Sequence, residues 1–259
     1  MLSDLVKNRF ISKFSGAGLT INISKCLFGA AQIKFLGFVV GAGEVSSDPS
    51  KLEAVSKFPK PKNKKDMRSF PGLVQFCHRF VPKLSIMCAP LFNTLRKCCP
   101  DVICWTSENS ACFEKVKQAV LDGTVLSIPK PDGKFVLQTD ACDVGISAVL
   151  SQINDGAEKP ICFFSRKLRE NEENFAIIEK ECLAILVGIN KFREYLYGAP
   201  FMIRTDHAPL QWLNENKNVS SRRMRWALSL QPFDFEIAYI RGKDNVLADV
   251  LSRYPVSSS

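Results

Sequence analysis

The order of the elements predicted between residues 131 and 255 limits the fold more strongly than any other feature of this sequence. Alternating apolar residues predict three strands in succession, then a long helix, a fourth strand, two short helices, a fifth strand and a last helix. Three hairpin-linked strands followed by alternating strands and helices form a mixed sheet with helices on its faces. The segments are, in order, Phe135–Thr139, Ile146–Gln152, Pro160–Ser165, 173–197, Phe201–Thr205, 208–214, 220–230, Phe235–Ile240 and Asn245–Arg253. We therefore predict an α/β fold with a mixed five-stranded sheet and flanking helices.

Four acidic residues stand where the ends of these elements would bring them together. Asp140 ends the first strand and Asp206 ends the fourth, so both lie at one edge of the sheet if the two strands are parallel neighbours. Glu181 falls within roughly 40° of Ile185 on the long helix, inside the apolar stripe of that helix. Asp249 lies on the last helix, at the edge of its apolar face.

The chemistry of the four acids points to divalent cations. A carboxylate that faces a core is costly unless it is paired or bound to a cation, and clustered carboxylates repel one another. Oxygen ligands suit Mg²⁺ or Mn²⁺, and two such ions about 4 Å apart can catalyse phosphodiester hydrolysis. Each acid alone also has a structural interpretation: Asp140 as a turn residue, Asp249 in a position favoured by the helix dipole, and Glu181 in a buried salt bridge, for example to Arg204.

Positive charge is concentrated in the first half of the chain. Residues 1–130 hold 19 Lys and Arg against 9 Asp and Glu, whereas residues 131–259 hold 16 against 17. The densest run includes Lys60, Lys62, Lys64, Lys65 and Arg68. This distribution predicts that one part grips a polyanion and the other part acts on it, although a solvated basic face would give the same pattern.

The first half is predicted to be mainly helical after one buried strand at residues 33–40. A helical pattern runs from Lys64 to Phe80, but Pro71 interrupts it, so either two helices meet there or the segment is damaged. Another helix is predicted over residues 84–97, and residues 98–110 have the irregular character of a joint.

The composition indicates an intracellular protein, in the cytoplasm or the nucleus and not secreted. No stretch of 18 uncharged apolar residues predicts a membrane span, and residues 1–20 resemble an amphipathic helix rather than a signal peptide. The ten cysteines include no zinc-ligand spacing, and we interpret them as buried free thiols in a reducing compartment.

Several motifs in the second half resemble the RNase H domain of Ty3/gypsy-type LTR retrotransposon polyproteins. They are Thr139-Asp140-Ala141, Phe164-Ser165-Arg166-Lys167-Leu168, residues 178–185 (IEKECLAI), Arg204-Thr205-Asp206-His207 and residues 243–249 (KDNVLAD) with Leu251-Ser252-Arg253. The resemblance implies Asp140, Glu181, Asp206 and Asp249 as ligands of two Mg²⁺ or Mn²⁺ ions. It also implies an RNA–DNA hybrid as the substrate.

The resemblance continues upstream into the reverse transcriptase of the same polyproteins. Residues 18–26 and 35–40 resemble the end of the palm and the primer grip, and residues 48–91 resemble the thumb. This implies a palm remnant at residues 1–45, a thumb at 46–100, a connecting segment at 101–130 and the RNase H-like domain at 131–255. It implies contact with a template–primer duplex by Phe35, Leu36, Gly37 and the basic thumb, and partners in the polymerase fingers and palm and the integrase.

The resemblance also shows departures from the family pattern. The polymerase Tyr-x-Asp-Asp motif is expected just before residue 1, and no Asp-Asp dipeptide occurs in these 259 residues, so we expect no DNA synthesis by this chain. Pro71 stands where the thumb helix usually has Leu, Cys77 replaces an aromatic residue and Cys142 replaces Ser. These departures put the packing of the thumb in doubt more than the nuclease chemistry.

Further basic residues carry two interpretations each. Arg222, Arg223 and Arg225 could hold backbone phosphates from one helix, or form a solvated face over Trp226. His207 could protonate the leaving group or assist product release, or be an ordinary loop residue.

Three functions are compatible with these features. The leading hypothesis is an RNA–DNA hybrid endonuclease without its polymerase. The second is a non-catalytic nucleic-acid-binding remnant, and the third is a DNA-cutting transposase or integrase core. The four acids favour the first over the second. Asp206 after a strand and Asp249 in a terminal helix favour RNase H over the third.

Overall fold

The computed structural model describes residues 29–205 and 221–239, together with residues 13, 14, 16–20, 22 and 27. Three predicted site residues, Asp206, His207 and Asp249, lie outside the described residues. So do the predicted helices at 208–214 and Asn245–Arg253. Within the described residues, no helix is both long enough and apolar enough to cross a membrane.

The described chain begins with a small antiparallel sheet. Its strands are β1 (Gln32–Phe35), β2 (Phe38–Gly41), β3 (Glu44–Ser47) and β4 (Leu126–Ser127), paired in that order. The prediction of one buried strand over residues 33–40 is wrong. The chain turns back at Leu36 and Gly37, whose φ angles are 50° and 81°, and β1 is exposed along its length. Gly37 is required because a Cβ there would lie 2.9 Å from the ring of Phe76.

Short helices follow this hairpin and pack into one core. They are α1 (Pro49–Ser56), α2 (Lys64–Gln75), a 3-10 turn at His78–Phe80, α3 (Leu84–Met87), α4 (Ala89–Asn93) and α5 (Ser107–Leu121). Side chains cap the first two: Asp48 accepts from the amide of Ser50 at 3.0 Å, and Asn63 accepts from the amide of Asp66 at 2.8 Å. The single helix predicted over residues 84–97 is instead two helices, α3 and α4.

Helix α2 continues through Pro71 without a break, contrary to the expected interruption. Met67, Phe70 and Val74 are buried on one face of the helix, and Phe70 packs against Phe113 with ring centroids 4.6 Å apart. This burial offsets the hydrogen bond that the proline cannot donate, because apolar contact on both sides of Pro71 holds the two halves of the helix in line.

The segment between α4 and α5 is irregular up to residue 106, as predicted, and hydrogen bonds fix it to the residues before α2. Ile103 donates its amide to the carbonyl of Lys62 at 3.0 Å, and the indole of Trp105 donates to the carbonyl of Pro61 at 2.8 Å. Helix α5 then packs on α1 and α4, and β4 completes the first sheet. Residues 29–127 therefore form one N-terminal unit.

The C-terminal unit, residues 130–239, contains the predicted mixed five-stranded sheet. Strands β5 (Lys134–Ala141), β6 (Gly145–Asn154) and β7 (Ala157–Lys167) are antiparallel. Three helices follow: α6 (Glu170–Glu173), α7 (Ile177–Lys191) and α8 (Arg193–Leu196). The single helix predicted over residues 173–197 is therefore two helices, α7 and α8, and α6 was not predicted. Strand β8 (Phe201–Thr205), helix α9 (Ser221–Leu230) and strand β9 (Phe235–Tyr239) complete the unit. The strand order is β7-β6-β5-β8-β9, with β8 parallel to both neighbours.

The two units share a hydrophobic core. Val149 and Phe163, from β6 and β7, are buried in the same cluster as Phe80, Leu84 and other residues of the N-terminal unit. A second cluster, built around Leu137 and Ile185, lies between the sheet and α7.

The prediction of buried free thiols is confirmed only in part, because Cys77, Cys88 and Cys182 are buried whereas Cys98, Cys104 and Cys142 are exposed. The nine described cysteines are all free. Burial, together with the neighbouring Cys112, raises the pKa of Cys88 to about 12. Such a thiol stays protonated and unreactive at neutral pH.

Replacing Pro71 by Ala is expected to stabilise the protein. The substitution restores an amide donor inside α2, and a mid-helix proline costs about 3 kcal/mol relative to alanine. We expect urea denaturation to show a gain of about 1–3 kcal/mol in the free energy of unfolding. The matched control is Gly72→Ala, next in the same helix and with open space around its Cβ, which should gain only about 0.5–1 kcal/mol. An unchanged free energy of unfolding in Pro71→Ala would show that the proline carries no such cost in this helix.

Candidate active site

The end of β5 places Asp140 at one edge of the C-terminal sheet. Strand β8 runs parallel beside β5, with Gln138 opposite Arg204, so Thr205 at the end of β8 reaches the same edge. The two strands are therefore parallel neighbours, which is the condition that the sequence argument set for Asp140 to share an edge with the end of the fourth strand. The carboxylate of Asp140 is 25% exposed. It is therefore accessible from solvent while its strand is fixed on both sides.

Helix α7 brings Glu181 to the same edge from one face of the sheet. Glu181 is buried, with 2% of its surface exposed, and its Oε1 accepts a hydrogen bond from the amide of Ala141 at 3.3 Å. The helix lies close to the sheet because Gly188 leaves room: a Cβ there would be 3.1 Å from the Cβ of Ala148. As predicted, Glu181 faces the sheet and not the solvent.

The alternative interpretation of Glu181 as a partner of Arg204 is not supported. Arg204 donates to Glu158 at 2.6 Å, and both of those side chains are largely shielded from solvent. The carboxylate of Glu181 therefore lies at the peptide that links Asp140 to Ala141, at the end of β5. Their role as metal ligands stays a prediction.

An unpredicted residue completes the described part of this site. The ammonium of Lys83, from the N-terminal unit, lies 2.6 Å from Oδ2 of Asp140. No sequence pattern identifies Lys83, because the contact depends on how the two units pack. Among the described residues, no three His, Cys, Asp or Glu side chains form a cluster that could hold a metal ion. Asp140 and Glu181 nevertheless offer only oxygen ligands, which suit a hard cation, and Asp140 already contacts one cation, the ammonium of Lys83.

A hydrogen-bonded joint fixes the segment around Lys83 against β7. Ser85 donates its amide to Oγ of Ser165 at 2.9 Å and its hydroxyl to the carbonyl of Ser165, also at 2.9 Å. Nε2 of His78 lies 2.8 Å from the same carbonyl and 3.0 Å from Oγ of Ser85. We call His78, Ser85 and Ser165 the interunit joint. It involves Ser165 of the motif that resembles RNase H, a role that the sequence did not reveal.

The next residue of that motif, Arg166, holds a buried carboxylate. Its guanidinium donates to both oxygens of Glu172, at 2.6 and 3.0 Å. Burial by itself raises the pKa of Glu172, but the hydrogen bonds and charge of Arg166, with the amide of Arg169, outweigh it and lower the pKa. This pair anchors α6 beside the site.

The residues predicted to bind nucleic acid fall into two groups. Lys60, Lys62, Lys65 and Arg68 are exposed, as binding to a polyanion requires. Lys64 is buried, and its ammonium donates to the carbonyls of Arg96 and Cys99, each at 2.7 Å. The prediction for Lys64 is therefore corrected: its charge satisfies backbone carbonyls and does not face a ligand.

The remaining predicted contacts lie on two separate elements. Phe35 and Leu36 are 60% and 76% exposed at the tip of the β1–β2 hairpin, while Gly37 is half-buried. Arg225 is exposed on α9. The side chains of Arg222 and Arg223 lie outside the described ones.

Comparison with known proteins identifies the C-terminal unit. Residues 130–233 match the family described as an RNase H-like domain found in reverse transcriptase. This segment is an RNase H-like domain of the reverse transcriptase type. Asp140 and Glu181 lie on the strand β5 and the helix α7 of that domain.

The resemblance to retrotransposon polyproteins extends beyond the RNase H-like domain. The chain is 36% identical over 248 residues to the retrovirus-related Pol polyprotein from transposon 297 of Drosophila melanogaster, covering 96% of this chain and 23% of that protein. It is also 36% identical over 249 residues to the transposon Tf2-3 polyprotein of Schizosaccharomyces pombe, covering 94% of this chain and 18% of that one. The chain thus spans about a quarter or less of these relatives.

Solved structures agree with the fold of both units. A foamy viral protease-reverse transcriptase in complex with an RNA/DNA hybrid superposes with a TM-score of 0.78 at 21% identity, covering 99% of this chain and 35% of that one. The same kind of protein in complex with double-stranded DNA gives a TM-score of 0.75 at 21% identity, covering 93% and 52%. At this identity the likeness shows the fold alone.

Burial of His78 is expected to make the protein less stable in mild acid. Burial lowers the pKa of His78 from its ordinary value of 6.5; the hydrogen bond to Ser165 opposes this, and the charge of Lys191 adds to it. The fold therefore favours neutral His78, so the stabilisation is complete above pH 6.5 and is lost as pH falls through the lower folded-state pKa. Urea denaturation between pH 7.5 and 5.5 should show this loss, with a slope of at most about 1.4 kcal/mol per pH unit for one proton.

The chain offers a matched control for this experiment. His78→Gln should flatten the pH dependence, and His207→Gln, which replaces the other histidine, should keep the dependence of the wild type. Equal slopes for His78→Gln and the wild type would rule out this titration as the cause.

Proposed function

We propose that this chain hydrolyses the RNA strand of an RNA–DNA hybrid with the help of two Mg²⁺ or Mn²⁺ ions. The observation that carries the proposal is the buried carboxylate of Glu181 beside Asp140 at the end of β5. A buried carboxylate placed next to a second acid has a high desolvation cost, which a divalent cation offsets. The RNase H-like fold of residues 130–233 supports this interpretation.

In the proposed site, Asp140 and Glu181 act as metal ligands together with Asp206 and Asp249. When bound, the two ions would supply an activated water and charge stabilisation for the departing 3′ oxygen. The fixed peptide of Ala141 keeps Oε1 of Glu181 in place, so the ligands are positioned before any ion binds. His207 is proposed to protonate the leaving group or to assist product release.

The substrate is proposed to lie along the exposed basic residues of the N-terminal unit. Lys60, Lys62, Lys65 and Arg68 present positive charge to solvent, and Phe35 and Leu36 present an apolar tip on the β1–β2 hairpin. The foamy viral structure cited above was solved with an RNA/DNA hybrid, which supports the choice of substrate by similarity of fold. Arg222, Arg223 and Arg225 are proposed as further phosphate contacts from α9.

The chain is proposed to act in the context of a Pol polyprotein. The chain matches a quarter or less of the length of its polyprotein relatives. We therefore propose the polymerase fingers and palm and the integrase of such a polyprotein as its partners. An intracellular location, in the cytoplasm or the nucleus, follows from the same proposal. The second candidate function is a non-catalytic nucleic-acid-binding remnant. The exposed basic residues favour it, because they could bind a duplex without the acids.

Cleavage of a labelled RNA–DNA hybrid in Mg²⁺ tests the proposal directly. Asp140→Asn removes the charge of a proposed ligand, and we expect the cleavage rate to fall by more than about 100-fold. Even the mutation of a residue that only hydrogen-bonds to a metal ligand lowers metal affinity or activity by about 10- to 100-fold. Glu181→Gln should have a similar effect. The matched control is Asp143→Asn, an exposed acid on the following turn that pairs with Lys180, and it should leave cleavage unchanged.

The two candidate functions give different results in this assay. Hybrid binding without cleavage by the wild type would contradict the nuclease and support the binding remnant. Equal cleavage by the wild type and Asp140→Asn would indicate a contaminating nuclease and reject the proposed site.

Buried and exposed lysines of the same segment separate binding from folding. Lys62→Gln and Lys65→Gln should each weaken hybrid binding and lower the slope of log affinity against log salt by about 0.9 for each phosphate that the variant no longer binds. Lys64→Gln should leave that slope unchanged but destabilise the protein, since it leaves the carbonyls of Arg96 and Cys99 without their ammonium donor. Filter binding at several salt concentrations and urea denaturation measure the two effects. A salt slope that falls equally in all three variants would contradict the assignment of Lys62 and Lys65 to hybrid binding and of Lys64 to folding.

A further inference from the structure

The segment that carries Lys83 is held in a defined place between the two units. Lys83 adopts the left-handed conformation, with φ 53°, which is uncommon for a residue other than glycine. Its carbonyl accepts from the amides of Ile86 and Met87, so the residue starts helix α3. Ile86 lies so close to Gly145 that a Cβ on the glycine would be 2.8 Å from Cγ1 of Ile86. The backbone of Lys83 is thus fixed against β6.

The interunit joint fixes the same segment against β7. Ser85, two residues after Lys83, makes two hydrogen bonds of 2.9 Å to Ser165. The side chain of Lys83 therefore reaches Asp140 from a fixed base and not from a loose loop. Non-glycine residues in the left-handed conformation occur where the surrounding structure over-determines them, as it does here.

The other cations near the site are engaged elsewhere. Lys180 pairs with Asp143 at 2.8 Å, and Arg166 pairs with Glu172 at 2.6 Å. Within residues 29–205 and 221–239, Lys83 is the cation seated on Asp140, at 2.6 Å. Its side chain is 39% exposed, so the pair is partly shielded but can separate into solvent.

We propose that Lys83 is a displaceable counter-ion of the nuclease site. Its ammonium neutralises Asp140 while no metal is bound and withdraws when a divalent cation takes the same carboxylate. The reason is electrostatic. Two cations at one carboxylate oxygen repel each other, and the oxygen attracts a divalent ion more strongly than it attracts an ammonium group. The inference rests on the proposed function, because it requires Asp140 to be a metal ligand.

This role makes the N-terminal unit part of the nuclease site. Metal binding must break the Lys83–Asp140 pair, so the pair lowers the affinity for the metal. Removing the ammonium should therefore raise metal affinity. A purely structural ion pair would instead lower it or leave it unchanged, because Asp140 would lose a group that holds it in place.

Mn²⁺ binding to the full chain, without nucleic acid, measures this effect. Free Mn²⁺ can be counted by electron paramagnetic resonance, and the heat of binding can be measured by calorimetry. Lys83→Met keeps the length of the side chain but removes its charge, and we expect Mn²⁺ to bind about three- to fivefold more tightly, the upper part of the range that an exposed ion pair contributes. Lys83→Arg keeps a cation and should bind no more tightly than the wild type.

Lys130→Met is the matched control. Lys130 pairs with Asp155 at 3.4 Å in the same domain, before the start of β5, whereas Asp140 stands near the end of that strand. The Lys130→Met variant loses the same charge as Lys83→Met. Its Mn²⁺ affinity should stay within about twofold of the wild type, because salt screens an exposed and distant charge. Circular dichroism melting of each variant verifies folding, and Lys83→Gln replaces Lys83→Met if the latter does not fold.

The outcomes separate this inference from the proposed function. Tighter binding by Lys83→Met but not by Lys130→Met supports the counter-ion. Equal affinity in the wild type and Lys83→Met, with binding abolished in Asp140→Asn, overturns the role of Lys83 and leaves the metal site intact. Binding that is absent in the wild type, or unaffected by Asp140→Asn, overturns the metal site and with it both proposals.

Chemical labelling gives a second readout that does not depend on affinity. If Mg²⁺ releases the ammonium of Lys83, its reaction with an acylating reagent should increase on adding Mg²⁺, while the reaction of Lys130 should not. Quantitative peptide mass spectrometry measures both lysines in one sample. Unchanged labelling of Lys83 at saturating Mg²⁺ would contradict displacement.

Discussion

Two carboxylates held together at one end of a sheet need positive charge close to them. Asp140 is fixed by its strand, and Glu181 is buried by α7 and tied to the peptide of Ala141. In the described structure the balancing charge on Asp140 is the ammonium of Lys83, and in the proposed reaction it is a divalent ion.

The ammonium of Lys83 comes from the N-terminal unit, so its position depends on how closely the two units are joined. Lys83 reaches Asp140 because Ser85 and His78 bind the carbonyl of Ser165, and because Phe163 and Val149 continue the core of the N-terminal unit. A shared core and a polar joint give a more rigid connection than a linker of the same length would. The position of the N-terminal unit is therefore coupled to the charge around Asp140.

The basic residues of the N-terminal unit divide according to burial. Lys64 satisfies the carbonyls of Arg96 and Cys99, where an unpaired charge would carry a large desolvation cost. Its neighbours Lys62 and Lys65 stay in water and keep their charge available to a ligand. Adjacent residues of the same type thus serve different purposes. The helical period decides which lysine turns inward, and counting charges alone does not show it.

The C-terminal sheet could be predicted well because its strands are strongly patterned. The alternation in Phe135–Thr139 and the Asn154-Asp155-Gly156 turn specify the hairpins locally, and the apolar stripe of α7 places Glu181 towards the sheet. The N-terminal sheet was less predictable. Residues 33–40 form an apolar run whether the chain is one strand or a hairpin, and the turn at Leu36 depends on the fit of Gly37 against Phe76. The continuity of α2 through Pro71 likewise depends on burial of Phe70 and Val74, which local propensity does not include.

The sequence by itself determined the class of fold, the strand order of the hairpins and the placing of Glu181 towards the sheet, because period and residue type are local properties. The assignment to an RNase H-like domain follows from the same residues and was confirmed. Only the tertiary structure decided that Lys83 lies on Asp140, that Lys64 is buried and that Ser165 belongs to the interunit joint. Each of these contacts joins residues far apart in the chain, so it depends on how finished elements pack and leaves no periodic signal in the sequence.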